Sequence, residues 1–122
     1  MIFTTTRVRF PSGSDVLVGD LHQPQGQDTE SATTIVIVTG SWTTVKEQQA
    51  DFYARRLAAA GLNTLVFDFR GFGQSEGNPR CWENPARKVE DIRAAVSFAA
   101  SQGYTRIGAL GICASAGYQA VN

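Results

Sequence analysis

The sequence is poor in histidine and cysteine and has no excess of either charge. Its 122 residues contain one histidine and two cysteines, and 11 basic residues balance 11 acidic ones. A net charge of zero gives no reason to expect nucleic acid or an anionic membrane as a partner. Two cysteines in unlike surroundings do not form a disulfide framework. No metal or cofactor motif is present, so we expect neither.

Membrane-directing segments are also missing. No apolar run approaches the roughly 20 residues that a membrane span needs. The first five residues, M-I-F-T-T, lack the basic region and long apolar run of a signal peptide. With 43% apolar and 18% charged residues, the composition is that of a globular protein. We therefore expect a soluble, cytoplasmic protein without an internal domain boundary over residues 1–122.

Strand and helix patterns alternate after an N-terminal hairpin. Residues 7–10 and 16–21 predict the two antiparallel strands, followed by a polar loop over 24–31. Further strands are predicted over 33–39, 63–69 and 107–111, and helices over 45–60, 84–102 and from Ala114 onward. This alternation implies parallel pairing with right-handed crossovers. The expected fold is a three-layer α/β sandwich whose mostly parallel sheet carries an antiparallel N-terminal hairpin.

The predicted helices have distinct signals. In the second one, Asn84 and Pro85 form an N-cap and N1 pair, and Gly103 ends the helix. Helical spacing predicts that one face of each helix packs on the sheet. Those faces are Val45, Phe52, Tyr53, Leu57 and Ala60 in the first helix, and Val89, Ile92, Val96 and Ala99 in the second.

The chemistry is predicted at residues 106–117, R-I-G-A-L-G-I-C-A-S-A-G. A short apolar run, 107–110, is typical of a buried strand. The small residues after it allow a sharp turn into a helix, which is the geometry of a nucleophile elbow. Cys113 fits the nucleophile position because its neighbours at −2, +2 and +3 are small. Ser115 is the alternative, but Tyr118 at its +3 position would collide with the strand. A third interpretation is a buried, inert thiol at a tight turn.

Other polar residues are expected to have structural roles. His22, at a strand edge, is expected to be half exposed. We expect Asp68 to brace the turn that begins at Arg70 and Gly71, and Asp91 to lie on a helix surface. Cys81 lies in a polar loop and is predicted to be incidental. The glycines of residues 71–77 match neither a dinucleotide fingerprint nor a P-loop.

Four stretches together resemble the α/β-hydrolase superfamily. Residues 39–42, T-G-S-W, stand where the family has its His-Gly oxyanion turn, and 68–75, D-F-R-G-F-G-Q-S, match its D-x-R-G-x-G-x-S turn. Residues 90–92 open the body of the helix before the elbow, and residues 111–117 match the elbow itself. The resemblance covers nearly the whole chain but only the N-terminal half of the usual domain. It looks closest to the dienelactone-hydrolase-like group, which also has cysteine at the elbow.

The resemblance implies a hydrolase of ester, lactone or thioester bonds with a small-molecule acyl substrate. A helix N-terminus at Cys113 would favour the thiolate, which attacks the carbonyl and forms an acyl-enzyme. The expected oxyanion donors are the backbone N–H groups of Ala114 and Ser41. Trp42 is the alternative donor or a pocket wall. Thr39 replaces the family's histidine. This replacement is tolerable because the oxyanion is bound by a backbone N–H and not by the side chain at this position.

In this superfamily the acid and the histidine of the triad follow the nucleophile in the chain. Both are therefore expected beyond Asn122, and the 122-residue chain alone is expected to be inactive. A second segment, or another copy of the chain, is expected to complete the sheet. Two alternatives stay open: a truncated or degenerate hydrolase fold that acts as a non-catalytic module, and a Rossmann-like nucleotide-binding domain. The substrate and the oligomeric state do not follow from the sequence.

Overall fold

A computed structural model describes residues 2–40, 45–47 and 49–111. They form five strands and three helices: β1 (Phe3–Ser12), β2 (Asp15–Pro24), α1 (Thr29–Ala32), β3 (Thr34–Thr39), α2 (Ala50–Ala59), β4 (Asn63–Phe67), α3 (Pro85–Ser101) and β5 (Arg106–Gly111). The strands form one sheet in the order β1-β2-β4-β3-β5. Pairing is antiparallel from β1 through β2 to β4 and parallel from β4 through β3 to β5. The predicted mixed sheet with an N-terminal hairpin is confirmed.

Strand β3 contributes to a core on each side of the sheet. Successive side chains of a strand point to opposite faces, so Ile35 and Ile37 pack in the larger core with α3. Val38 lies in the second core, against α2. The continuous apolar sequence T-I-V-I-V-T is typical of a strand that is covered on both faces. The three-layer arrangement is therefore confirmed.

Helix α2 begins five residues later than predicted and presents a different face. Phe52 and Tyr53 remain 55% and 45% exposed, so the prediction that they pack on the sheet is wrong. The small alanine side chains allow a close approach, and the Thr64 hydroxyl donates a hydrogen bond to the Ala54 carbonyl at 3.1 Å. The buried residues of α2 are Ala50, Ala54 and Ala58.

Helix α3 has the predicted boundaries. The Asn84 side chain accepts hydrogen bonds from the backbone N–H groups of Ala86 and Arg87 at 3.0 and 3.3 Å. Pro85 is the first helical residue, and Gly103 follows the helix with a φ of 97°. Asparagine caps and left-handed glycine are favoured at these two positions. The start and the end of this helix are thus correctly predicted.

Strand β5 is the outermost strand of the described sheet. It pairs in parallel with β3, so Thr39 lies opposite Gly111. Its residues are exposed or half-buried, and Leu110 is 37% exposed. The prediction of a buried strand is wrong for the part of the chain that the structure describes, because there only β3 pairs with β5. None of the described helices is long and apolar enough to span a membrane.

Candidate functional site

The carboxyl ends of the parallel strands β3, β4 and β5 meet at one edge of the sheet. Ligands of open α/β sheets bind in the crevice at this edge. The segments after Thr39, Phe67 and Gly111 all leave from it. The predicted nucleophile and oxyanion donors belong to two of these segments. All of these residues, Cys113, Ala114, Ser115, Ser41 and Trp42, lie outside the described residues, and their roles stay predictions.

Asp68 directly follows β4 and is 1% exposed. Its Oδ1 accepts the backbone N–H of Lys46 at 2.7 Å. Its Oδ2 accepts the Lys46 ammonium at 3.1 Å and the backbone N–H of Gln74 at 3.0 Å. Asp68 therefore ties the glycine-rich turn to the segment after β3. The prediction that Asp68 braces the turn that begins at Arg70 and Gly71 is confirmed, and Gln74 is the turn residue that it contacts.

Lys46 is a buried residue that sequence reasoning missed. Its ammonium donates to Glu47 and Gln74, both at 2.7 Å, as well as to Asp68. Burial by itself lowers the pKa of Lys46, but the hydrogen bonds to Glu47 and Asp68 outweigh it and leave the pKa above its ordinary value of 10.5. The ammonium is therefore charged at neutral pH. No local signal identified Lys46, because the predicted helix face was taken from apolar residues alone.

Arg70 is held by Asp91, which is fully buried. Asp91 Oδ2 accepts the Arg70 backbone N–H at 2.7 Å, and Oδ1 accepts the Arg70 Nη2 group at 2.9 Å. The Ser12 hydroxyl donates to Asp91 Oδ1 at 2.6 Å. The placement of Asp91 on the helix surface is thus wrong. A carboxylate can be buried on α3 because the Arg70 guanidinium, the Arg70 backbone N–H and the Ser12 hydroxyl all donate to it there.

The D-x-R-G-x-G-x-S motif has a physical basis in this turn. A Cβ atom at Gly73 would lie 2.4 Å from Asp68 Oδ2, so only glycine leaves room for that carboxylate. Ser75 donates to the Asp68 carbonyl at 2.5 Å and accepts the Val18 N–H at 2.8 Å. The motif residues of this turn therefore hold the carboxyl end of β4 rigid beside the crevice.

The single histidine lies away from this edge. His22 pairs with Thr64, near the amino end of β4, and is fully buried. Its Nε2 lies 2.7 Å from Asp51 Oδ1 and its Nδ1 lies 2.8 Å from the Thr5 hydroxyl. The expectation of a half-exposed residue is wrong because β2 lies between two other strands and α2 covers it. His22 joins α2 to the hairpin.

Cys81 lies in the exposed loop before α3 and is not in a disulfide. Within residues 2–40, 45–47 and 49–111, no three His, Cys, Asp or Glu side chains are grouped so that they could hold a metal ion. Among the residues that the structure describes, Asp68 and Asp91 are buried carboxylates, and each is paired with a cation and fixes a turn.

Known proteins with similar sequences and structures include hydrolases. The family model described as "Serine aminopeptidase, S33" matches residues 29–117. The chain is 48% identical over 79 residues to the uncharacterized protein YcjY of Escherichia coli K12, which covers 62% of this chain and 26% of YcjY. It is 33% identical over 67 residues to thiohydrolase aneE of Aspergillus aculeatus, which covers 55% of this chain and 21% of aneE.

A solved structure matches over almost the whole chain. The crystal structure of a hypothetical protein, PA2218 from Pseudomonas aeruginosa, has a TM-score of 0.85 and 34% identity. The match covers 95% of this chain and 37% of that one. This chain thus spans between 21% and 37% of the length of these three proteins.

Proposed function

The chain belongs to the serine aminopeptidase S33 family of α/β-hydrolases, and on this basis we propose that it supplies the nucleophile and the oxyanion donors of a hydrolase. The bonds hydrolysed are ester, lactone or thioester bonds of small acyl substrates. The proposed nucleophile is Cys113. The proposed oxyanion donors are the backbone N–H groups of Ala114 and Ser41, with Trp42 as the alternative to Ser41.

The observation that carries this proposal is the register between β3 and β5. Thr39 and Gly111 are partners at the ends of neighbouring parallel strands, and such strands lie about 4.8 Å apart. Ser41 is two residues beyond one strand end, and Cys113 is two residues beyond the other. A nucleophile and an oxyanion donor that start from adjacent strand ends can both reach one carbonyl group, as acyl transfer requires.

In the proposed reaction the Cys113 thiolate attacks the acyl carbonyl carbon, and the π electrons move to the carbonyl oxygen. The N–H groups of Ala114 and Ser41 stabilise that oxyanion. When the tetrahedral species collapses, the bond to the leaving alcohol or thiol breaks and a general acid protonates it. Water then hydrolyses the acyl-enzyme. We place the acid and the histidine of the triad in a segment outside these 122 residues.

We place the chain near the dienelactone-hydrolase-like group, because its proposed elbow, like the elbow of that group, carries a cysteine.

The similarity to aneE, which is named a thiohydrolase, supports thioesters among the substrates. We also propose that a further segment, or a second copy of the chain, pairs with the outer edge of β5. Leu110 is exposed and, among the described strands, only β3 pairs with β5. Both features support this proposal, because unpaired strand edges and exposed apolar side chains favour association.

The test is acyl-enzyme trapping in the whole gene product. The protein is mixed with p-nitrophenyl acetate or an acyl thioester, quenched in acid within seconds, and analysed by intact mass and peptide mapping. We expect the acyl group on Cys113, its loss in Cys113→Ala, and its retention in Ser115→Ala. Acylation that persists in Cys113→Ala and disappears in Ser115→Ala would transfer the role to Ser115. If none of these substrates acylates the protein, the result favours the alternative of a non-catalytic module.

A further inference from the structure

We propose that Lys46 is a positioning residue for the hydrolase reaction, because it anchors to Asp68 the segment that carries the oxyanion donor after β3. The expected effect on catalysis rests on the proposed function. The anchor itself consists of two contacts between Lys46 and Asp68.

Lys46 is tied to one carboxylate through two of its atoms. Its backbone N–H donates to Asp68 Oδ1 at 2.7 Å, and its ammonium donates to Oδ2 at 3.1 Å. The Asp68 backbone is itself fixed, since its N–H donates to the Val18 carbonyl of β2 at 3.0 Å. The contact therefore fixes the main chain at residue 46 relative to the end of β4, and not the side chain alone.

This anchor closes a short connection. Thr39, fully buried, ends β3 beside β4, and Lys46 follows seven residues later. Residues 40–45 therefore join two fixed points, one on β3 and one beside the end of β4. The proposed donor, Ser41, belongs to this connection. Without the Lys46 ammonium the buried Asp68 carboxylate loses its cation, so its hold on the backbone of residue 46 weakens. The Lys46 carbonyl still accepts the Asp51 N–H at 2.8 Å, so the expected effect is a looser connection and not an unfolded one.

The surroundings of the ammonium indicate that Lys46 does not bind the substrate. An ammonium has three N–H donors, and three acceptors lie within 3.1 Å, on Glu47, Asp68 and Gln74. Arg7 Nη1 also donates to the same Gln74 oxygen at 2.6 Å, which orients that amide. The Lys46 side chain is 0% exposed. A group that is buried and fully hydrogen-bonded acts through the segment it holds.

A misplaced oxyanion donor weakens binding of the transition state more than binding of the substrate. Loss of Lys46 should therefore lower kcat and leave KM nearly unchanged. Complete removal of one oxyanion donor costs roughly 100- to 1,000-fold in kcat. A donor that is loosened but still present should cost less, about 10- to 100-fold.

The experiment compares Lys46→Met, Lys46→Arg and the control Asp51→Asn in the whole gene product. Asp51 also makes a short side-chain contact with a buried residue, His22, but near the amino end of β4. We measure kcat, KM and the acylation burst with p-nitrophenyl acetate, together with the thermal unfolding midpoint.

Lys46→Met should lose about 10- to 100-fold in kcat and in acylation rate, with KM within about threefold of the wild-type value. Lys46→Arg should recover part of the loss, because guanidinium also donates to Asp68. Asp51→Asn should lower the midpoint but keep kcat within about twofold.

Hydrogen–deuterium exchange of the peptide that contains residues 40–45 tests the anchor independently of hydrolysis. Lys46→Met should speed exchange there at least about tenfold, and Asp51→Asn should not. If Lys46→Met does not fold, Lys46→Gln, which keeps one donor, replaces it. Unchanged exchange in the Lys46 variant overturns the proposal, as does an equal loss of kcat in Asp51→Asn. Faster exchange in a protein that hydrolyses none of the substrates would refute the proposed function and retain the anchor.

Discussion

Arg70 and Asp91 are 21 residues apart in the chain, yet the Asp91 carboxylate accepts both the backbone N–H of Arg70, at 2.7 Å, and its side-chain Nη2, at 2.9 Å. This contact joins the turn after β4 to helix α3, which leads into β5. The turn after β4 is thereby fixed against α3. A carboxylate that is fully buried depends on all of its donors.

Asp91→Asn should destabilise the protein by about 3–5 kcal/mol. The amide group would face the donors of Arg70 and Ser12, and the guanidinium would lose its nearest and only buried counterion among the described residues. Urea denaturation followed by circular dichroism measures the loss. Glu90→Gln is the matched control. The Glu90 side chain is 57% exposed and lies 3.7 Å from Arg70, so its loss should cost less than about 1 kcal/mol. Equal costs for the two variants would contradict the role of Asp91.

Gly73→Ala should be more costly than an ordinary glycine substitution. The added Cβ would lie 2.4 Å from Asp68 Oδ2, and the φ of Gly73 is 52°. We expect about 1–2 kcal/mol from the left-handed backbone and about 1–3 kcal/mol more from the steric conflict. Gly26→Ala is the control, because Gly26 has a φ of 72° with nothing within 4 Å. A comparison of their free energies of unfolding isolates the steric cost, and indistinguishable values would contradict it.

The contribution of Asp51 to the free energy of unfolding should depend on pH in the acid range. Burial by itself raises the pKa of Asp51, but hydrogen bonds from His22 and Arg55 outweigh it and hold the pKa below its ordinary value of 3.8. The stabilisation is therefore complete above pH 3.8 and is lost as the pH falls below that value. We expect the stability difference between wild type and Asp51→Asn to be constant above about pH 5 and to shrink at lower pH. Urea denaturation of both proteins between pH 2.5 and 6 measures it, and a difference that grows on acidification would contradict this sign.

Cys113 should react with alkylating reagents faster than Cys81. The proposed elbow places the Cys113 thiol at a helix N-terminus, which favours the reactive thiolate, whereas Cys81 is an exposed loop thiol. Peptide mapping after brief treatment with iodoacetamide near pH 7 compares the two residues. Cys81→Ser serves as the control and should leave the labelling of Cys113 unchanged. Faster labelling of Cys81 in the native protein would speak against the elbow.

Apart from the short helix α1, which lies largely in the predicted polar loop over 24–31, the sequence by itself determined the order of the elements and the three-layer architecture, because these depend on local patterns. The run T-I-V-I-V-T predicts β3, and Asn84 with Pro85 predicts the start of α3, since strand burial and helix capping depend on neighbouring residues. The candidate nucleophile Cys113 also came from a local pattern of small residues. Its role stays a prediction, since it lies outside the described residues.

Only the tertiary structure decided which side chains meet across the fold. Phe52 is exposed because alanines, not aromatics, allow α2 to approach the sheet closely. Lys46 and Asp91 are buried because each meets an oppositely charged partner, Asp68 and Arg70, and these partners lie 22 and 21 residues away in the chain. Sequence spacing does not encode such pairings. A charged residue is buried where the folded chain supplies a counterion and hydrogen-bond partners, and that place exists only once the sheet has formed.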